Sequence, residues 1–282
     1  MSVSIRTNIP SLNAQRNLST TQKNLDLSLS KLSSGLRVRN AADDAAGLAI
    51  SEKMKAQIRS LNQAYRNAAD GISLIQTAEG ALNEVHSIMD RLRELAIHSA
   101  NDVLSDIDRS FLNDEFTELI DEVDRIARVT EFNSHPLLDG TQATGLAFQV
   151  GIGPDSDDRL IVSIPNCRTS QMGTGLSTLN LMGVSTVTRA LQSLDVIDAS
   201  IYDISEVRAK LGAIQNRLTV TQNNLSSYAE NLSAANSQIR DVDVAFQTAE
   251  LTKDQILMQA GVSVLSQANQ LPSTALSLIN GN

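Results

Sequence analysis

Apolar residues recur every seven positions along most of the chain. Ile197, Ile204, Leu211, Leu218, Leu225, Leu232 and Ile239 form one unbroken row. Val207, Ile214, Thr221, Tyr228, Ala235 and Val242 follow it three residues on. Two such rows over more than six heptads predict a coiled-coil helix over about 186–240, roughly 80 Å long at 1.5 Å per residue. The first half of the chain supplies partners. Ile75, Leu82, Met89 and Ala96 make one row there, with Ala78, Val85 and Leu92 beside it. Leu112, Leu119 and Ile126, with Phe116 and Val123, predict a further helix. Its polar side offers Asp121–Arg125 and Asp124–Arg128 as i,i+4 pairs. The polar stretch Asn101–Asp108 separates these helices.

Both ends carry rows of their own. Leu18, Leu25 and Leu32 are seven apart, flanked by Leu29 and Leu36. Val244, Leu251, Met258 and Leu265 form a row near the other end, and Leu257, Val264, Leu271 and Leu278 form a second. An isolated amphipathic tail of this kind is only marginally ordered in water, so both ends need a partner, in the same chain or in another copy. Ser33-Ser34-Gly35 ends the first helix, and Asn40-Ala41-Ala42-Asp43 is placed to cap the next. Leu36-Arg37-Val38-Arg39 between them alternates and reads as extended.

Proline supports this division. The five prolines are Pro10, Pro136, Pro154, Pro165 and Pro272, so the intervals 11–135 and 166–271 contain none. Helix interiors exclude proline, which lacks an N–H and clashes with the preceding turn. Six of fourteen glycines fall in 140–175, marking a non-helical insert. Within it Ala147–Val150 and Leu160–Ile164 alternate as strands about the loop 153–158, which predicts a hairpin. The expected fold is mainly α: an elongated antiparallel coiled-coil bundle with a small β-hairpin insert at about 140–185.

Composition narrows the function. Aromatic residues are 3% of 282, with no Trp, which argues against a β-sandwich. One cysteine, Cys167, excludes an intramolecular disulfide framework, and three histidines with one cysteine supply no zinc cluster. The net charge of −9 is uneven: +5 over 1–60, −11 over 61–240 and −3 over 241–282. A basic first arm and an acidic last arm attract each other or their counterparts in other copies. The basic arm has no interleaved aromatics and does not make a nucleic-acid surface. No segment has the length and apolarity of a membrane span, and the first residues show no secretory h-region.

No catalytic constellation emerges. The chain has no G-x-S-x-G and no phosphate loop. Gly151-Ile152-Gly153 reads as turn geometry. Asp43-Asp44 suits a helix start, and Asp157-Asp158 lies in a loop. Cys167, between Asn166 and Arg168, reads as an incidental loop cysteine, with a somewhat activated thiol as the alternative. No cofactor, metal or enzymatic activity is expected.

Long runs at both ends carry a resemblance. SIRTNIPSLNAQRNL, LSKLSSGLRVRNAADDAAGLAISEKM and RNAADGISLIQTAEGALNEVHSIMDRLRELAIHSAN resemble the N-terminal region of bacterial flagellins. IRDVDVAFQTAELTKDQILMQAGVSVLSQANQLPSTALSLI resembles their C-terminal region, and FQVGIGPDSDDRLIVSI their short hairpin. Only about 166–185 departs, so the chain is similar to a minimal flagellin without large outer domains. The resemblance implies a structural subunit that is exported through the flagellar type III apparatus, without a cleaved signal, to form the motility filament. It implies that 1–40 and 243–282 are disordered in the monomer and form a coiled-coil filament core, with 41–242 as a surrounding helical rod.

Its implied partners are other copies of the chain, hook-associated and cap proteins, and an export chaperone on the helix bearing Leu257, Val264, Leu271 and Leu278. RLRELA resembles a stretch that engages Toll-like receptor 5 in many flagellins, which maps contacts onto Arg91, Leu95 and Glu115. Arg91 and Leu95 lie off the Met89–Leu92–Ala96 seam, so both are expected exposed in the monomer; the alternative is that Leu95 widens the apolar stripe. Two other readings are a hook–filament junction protein of the same apparatus and a cytoplasmic helical scaffold.

Overall fold

The computed structural model describes residues 7–174 and 177–279. Five helices dominate: α1 (Ile9–Ser34), α2 (Ala45–Ser99), α3 (Asp106–Val129), α4 (Val187–Arg240) and α5 (Val244–Ile279). Three two-stranded antiparallel ladders lie between α3 and α4. These are β1 (Glu131–Phe132) with β2 (His135–Pro136), β3 (Leu146–Gln149) with β4 (Arg159–Val162), and β5 (Gly173–Thr174) with β6 (Ser177–Thr178). The predicted hairpin is β3–β4, in register from Leu146 opposite Val162 to Gln149 opposite Arg159. The chain forms two compact units, 57–230 and the two ends together (1–56 with 231–282).

Helix ends follow from local chemistry. Gly35 ends α1 at φ 70°, a left-handed conformation open to glycine without a Cβ penalty. The α2 start differs from expectation by one residue. Asp44, rather than Asn40–Asp43, accepts the Gly47 N–H at 2.8 Å, while Asp43 holds the turn by accepting from the backbone of Arg39 and Asn40. Those two bonds keep the Asp43 carboxyl below its ordinary pKa. Ser105 and Asp108 form a reciprocal capping box on α3. Arg109 is buried beside it and donates to the carbonyls of Ser99 and Asn101, both at 3.0 Å, closing the end of α2.

In the central unit the heptad rows are the core. Ile75, Ala78, Leu82, Val85, Met89, Leu92 and Ala96 of α2 are fully buried. They meet Phe116, Ile120, Val123 and Ala127 of α3 and the row Ile197, Ile204, Leu211, Leu218 of α4. Leu112, Leu119 and Ile126 flank this core, partly buried. The second α4 row opens progressively: Val207 is buried, Ile214 and Thr221 are half-buried, and Tyr228 is exposed. Ion pairs tie α2 to its neighbours, Arg91 to Glu115 of α3 and Arg93 to Asp198 of α4, both at 2.7 Å. Of the two expected pairs on α3, Asp124–Arg128 forms at 3.1 Å. Arg125 turns instead to Glu122, three residues away, at 2.7 Å.

Candidate functional site

In the unit formed by the two ends, α1 and α5 run antiparallel. Asn8 lies against Ala268, Leu18 against Gly261 and Ser28 against Gln247. The face between them takes Leu25 and Ser28 from α1 and Asp254 and Ala268 from α5, all buried. Leu18, Leu32, Leu251, Met258 and Leu265 border it, half-buried. Six of the seven seam residues therefore face the partner helix. Val244 does not; it is 60% exposed at the first turn of α5, where the chain has just left the break at 241–243. Among the described residues no ion pair joins α1 to α5, so the opposite charges of the two arms act only at longer range.

Both helices leave apolar side chains uncovered. On α5, Phe246, Leu257 and Val264 share one face at helical spacing with Ile256 beside it, between 47% and 65% exposed, and Val262 stands apart from them. On α1, Ile9, Leu12 and Leu27 share a face, and Leu29 stands apart. Leu257 and Val264 belong to the second sequence row; the side chains of Leu271 and Leu278, which complete it, lie outside the described residues. A helix pair that covers one row of each member and leaves the others wet has the form of a partial bundle, with seats for further helices.

The breaks between α1 and α2 and between α4 and α5 are joined. Arg37 and Val38 donate their N–H groups to the Arg240 carbonyl at 2.7 and 3.4 Å, and Val242 donates to Gly35 at 3.0 Å. The Arg37 guanidinium reaches the Ile239 carbonyl at 2.6 Å. Arg240 binds Glu52 at 2.5 Å and Ser51 at 3.3 Å. The hydrogen bond from Arg240 is the largest effect holding the Glu52 carboxyl below its ordinary pKa, with the charge of Lys55 next. Val38 is buried at the centre of this clasp. Alternation in Leu36–Arg39 signalled an extended segment, but its partner at Arg240–Val242 carried no pattern.

The residues mapped by the receptor resemblance separate. Arg91 and Glu115 are exposed and bonded to each other, and Glu94 joins them at 3.0 Å. Glu115 is the main cause of a raised Arg91 pKa. Leu95 is 2% exposed and belongs to the central core. The expectation that Leu95 is exposed is corrected. The apolar stripe of α2 is three positions wide in each heptad, because α2 packs on both α3 and α4, whereas a two-helix seam needs only two.

For Cys167 the activated-thiol alternative is overturned. Cys167 is 2% exposed, and burial, with the charge of Asp203, pushes its thiol up to about 12. A thiol so placed is inert rather than activated. Among the described residues no group of His, Cys, Asp and Glu is arranged to hold a metal ion, and no helix is long and apolar enough to cross a membrane.

Comparison with known proteins bears on these surfaces. The family model for the bacterial flagellin N-terminal helical region matches residues 5–143, and that for the C-terminal helical region matches residues 194–279. A flagellin of Halalkalibacterium halodurans is 47% identical over 275 residues, covering 98% of this chain and 99% of its own. The flagellin of Bacillus subtilis is 43% identical over 303 residues, with the same coverage. The crystal structure of Bacillus cereus flagellin is 30% identical, covers 61% of this chain and 94% of its own, and aligns with a TM-score of 0.49.

Proposed function

The chain belongs to the bacterial flagellin family and is a structural subunit of the flagellar filament, not an enzyme; from that premise we propose which of its surfaces build the polymer. Residues 1–40 and 243–282 form the filament core, and 41–242 form the shell around it. The observation that carries this reading is the uncovered apolar face of the α1–α5 pair, with Leu257 and Val264 outward. Neighbouring copies cover that face, and the burial holds the polymer together. The free energy scales with the area taken from water, about 25 cal/mol per Å².

The outward Leu257 and Val264, whose row continues in sequence through Leu271 and Leu278, mark the helix an export chaperone shields before the subunit leaves through the type III apparatus. Cap and hook-associated proteins meet the subunit at the filament ends. The exposed Arg91–Glu115 pair is the receptor contact, with Leu95 acting beneath it as a core residue that holds the α2 surface in place. Seeded polymerisation of the full chain tests the core reading. Leu257→Ser with Val264→Ser is expected to leave the helix content of the 57–230 unit unchanged and to abolish growth on seeds. Growth at the parent rate contradicts the reading.

A further inference from the structure

Pro272 lies inside α5 and brings no N–H to the helix. The carbonyl four residues earlier, that of Ala268, therefore has no i+4 donor. Ala268 is 6% exposed, on the face turned to α1. The side-chain amide of Asn8 donates to that carbonyl at 2.7 Å. Its oxygen meanwhile accepts the Ser11 N–H at 3.1 Å, capping α1. One side chain thus completes the backbone bonding of two helices. Ser11 adds a bond from its hydroxyl to Asn269 at 2.7 Å.

Packing alone defines the α1–α5 register weakly. Leu18, Leu25 and Leu32 on one side and Leu251, Met258 and Leu265 on the other share a seven-residue period, so a slide of one heptad again sets large apolar side chains against each other. The Ser28–Gln247 and Ser11–Asn269 bonds join side chains that can turn to other polar neighbours after a slide. A helix carbonyl cannot turn, and leaving it unbonded on a closed face is costly. We propose that Asn8 is a positioning residue for assembly: it pins the α1–α5 register through the carbonyl that Pro272 frees, and so fixes which rows face outward. This rests on the α1–α5 pair being the polymer core.

The test reads register and stability separately in polymers of the full chain. Leu18→Cys with Gly261→Cys, which are in contact in the native pair, reports the native register by oxidative cross-linking. Leu25→Cys with Gly261→Cys reports a slide of one heptad. In the parent background only the first pair should link. Asn8→Ser keeps an N-cap hydroxyl for α1 but is too short to reach Ala268, and it should raise the slipped-to-native ratio roughly tenfold. Pro272→Ala restores the missing donor. It should stabilise α5 while also loosening the register, a combination that a merely structural role does not produce. In the Pro272→Ala background Asn8→Ser should have almost no further effect on stability.

Native linkage alone in both Asn8→Ser and Pro272→Ala polymers overturns the pin. If either variant fails to polymerise alone, the same ratio is read on the cysteine-bearing variant copolymerised with an excess of parent subunits, with the same expectations. Failure of the core reading shows itself elsewhere: thiols placed at Leu257 and Val264 would then stay reactive in parent polymers, whatever the cross-link ratio.

Discussion

Leu218 is completely buried in the α4 row, beside Gly71 and within reach of Phe148 of the hairpin. Leu218→Ala is expected to destabilise the chain by about 2–5 kcal/mol, as large-to-small core changes do, and calorimetry of the monomer reads it. Leu95→Ala belongs to the same class and should lower the melting temperature, whereas Arg91→Ala removes only exposed ion pairs and should barely move it. In a receptor reporter titration the order reverses if the Arg91–Glu115 pair makes the contact: Arg91→Ala should lose potency at unchanged helix content. Unchanged potency contradicts the assignment. The row of Leu218 was legible because its period is uninterrupted. The burial of Leu95 was not, because a period of seven shows where a seam lies but not how many helices share it. The activated-thiol alternative for Cys167 fails for a related reason. Its neighbours in sequence are polar, but its neighbours in space are Leu138, which accepts its N–H, and the core.

At the scale of elements, the stops and starts were written in the chain. Gly35 ends α1 where the sequence put its end, and Pro10 stands in its first turn; Pro272, by contrast, lies inside α5, against the expectation that helix interiors exclude proline. The two-residue ladders β1–β2 and β5–β6 were not readable, since strands so short carry no period. Nor was the clasp, where a break at 35–44 meets a break at 241–243 more than two hundred residues away. The clasp makes a pH prediction. The folded Glu52 carboxyl titrates below its ordinary value of 4.5. Its contribution is therefore fully present above pH 4.5 and is lost as pH falls through the folded value. Glu52→Gln lacks this dependence. The difference in melting temperature between parent and variant should be constant from pH 7 to 5 and close below 4.5. The difference is small, because the Glu52 carboxylate is exposed. A difference that grows on acidification would contradict the clasp.

For the whole molecule, the central unit closes its own core, whereas the pair formed by the two ends closes half of one. Two helices of 26 and 36 residues that both leave apolar side chains in water recover little against a backbone ordering cost of about 1–2 kcal/mol per residue. On the proposed reading their full ordering is coupled to assembly, so that free subunits stay apart until a growing filament end covers them. Removing 245–282 should leave 57–230 helical and monomeric and unable to extend seeds; filaments from the truncated chain would show that α5 is dispensable. The account is tested most directly by thiol labelling at Leu257→Cys or Val264→Cys in monomer and polymer of the same preparation, with buried Cys167 as the internal reference. Both introduced thiols should label readily in the monomer and become protected at least about tenfold in the polymer, as burial between copies requires. Equal labelling in the two states would show that the outward rows of α5 stay in water, and that the filament is held together by other surfaces.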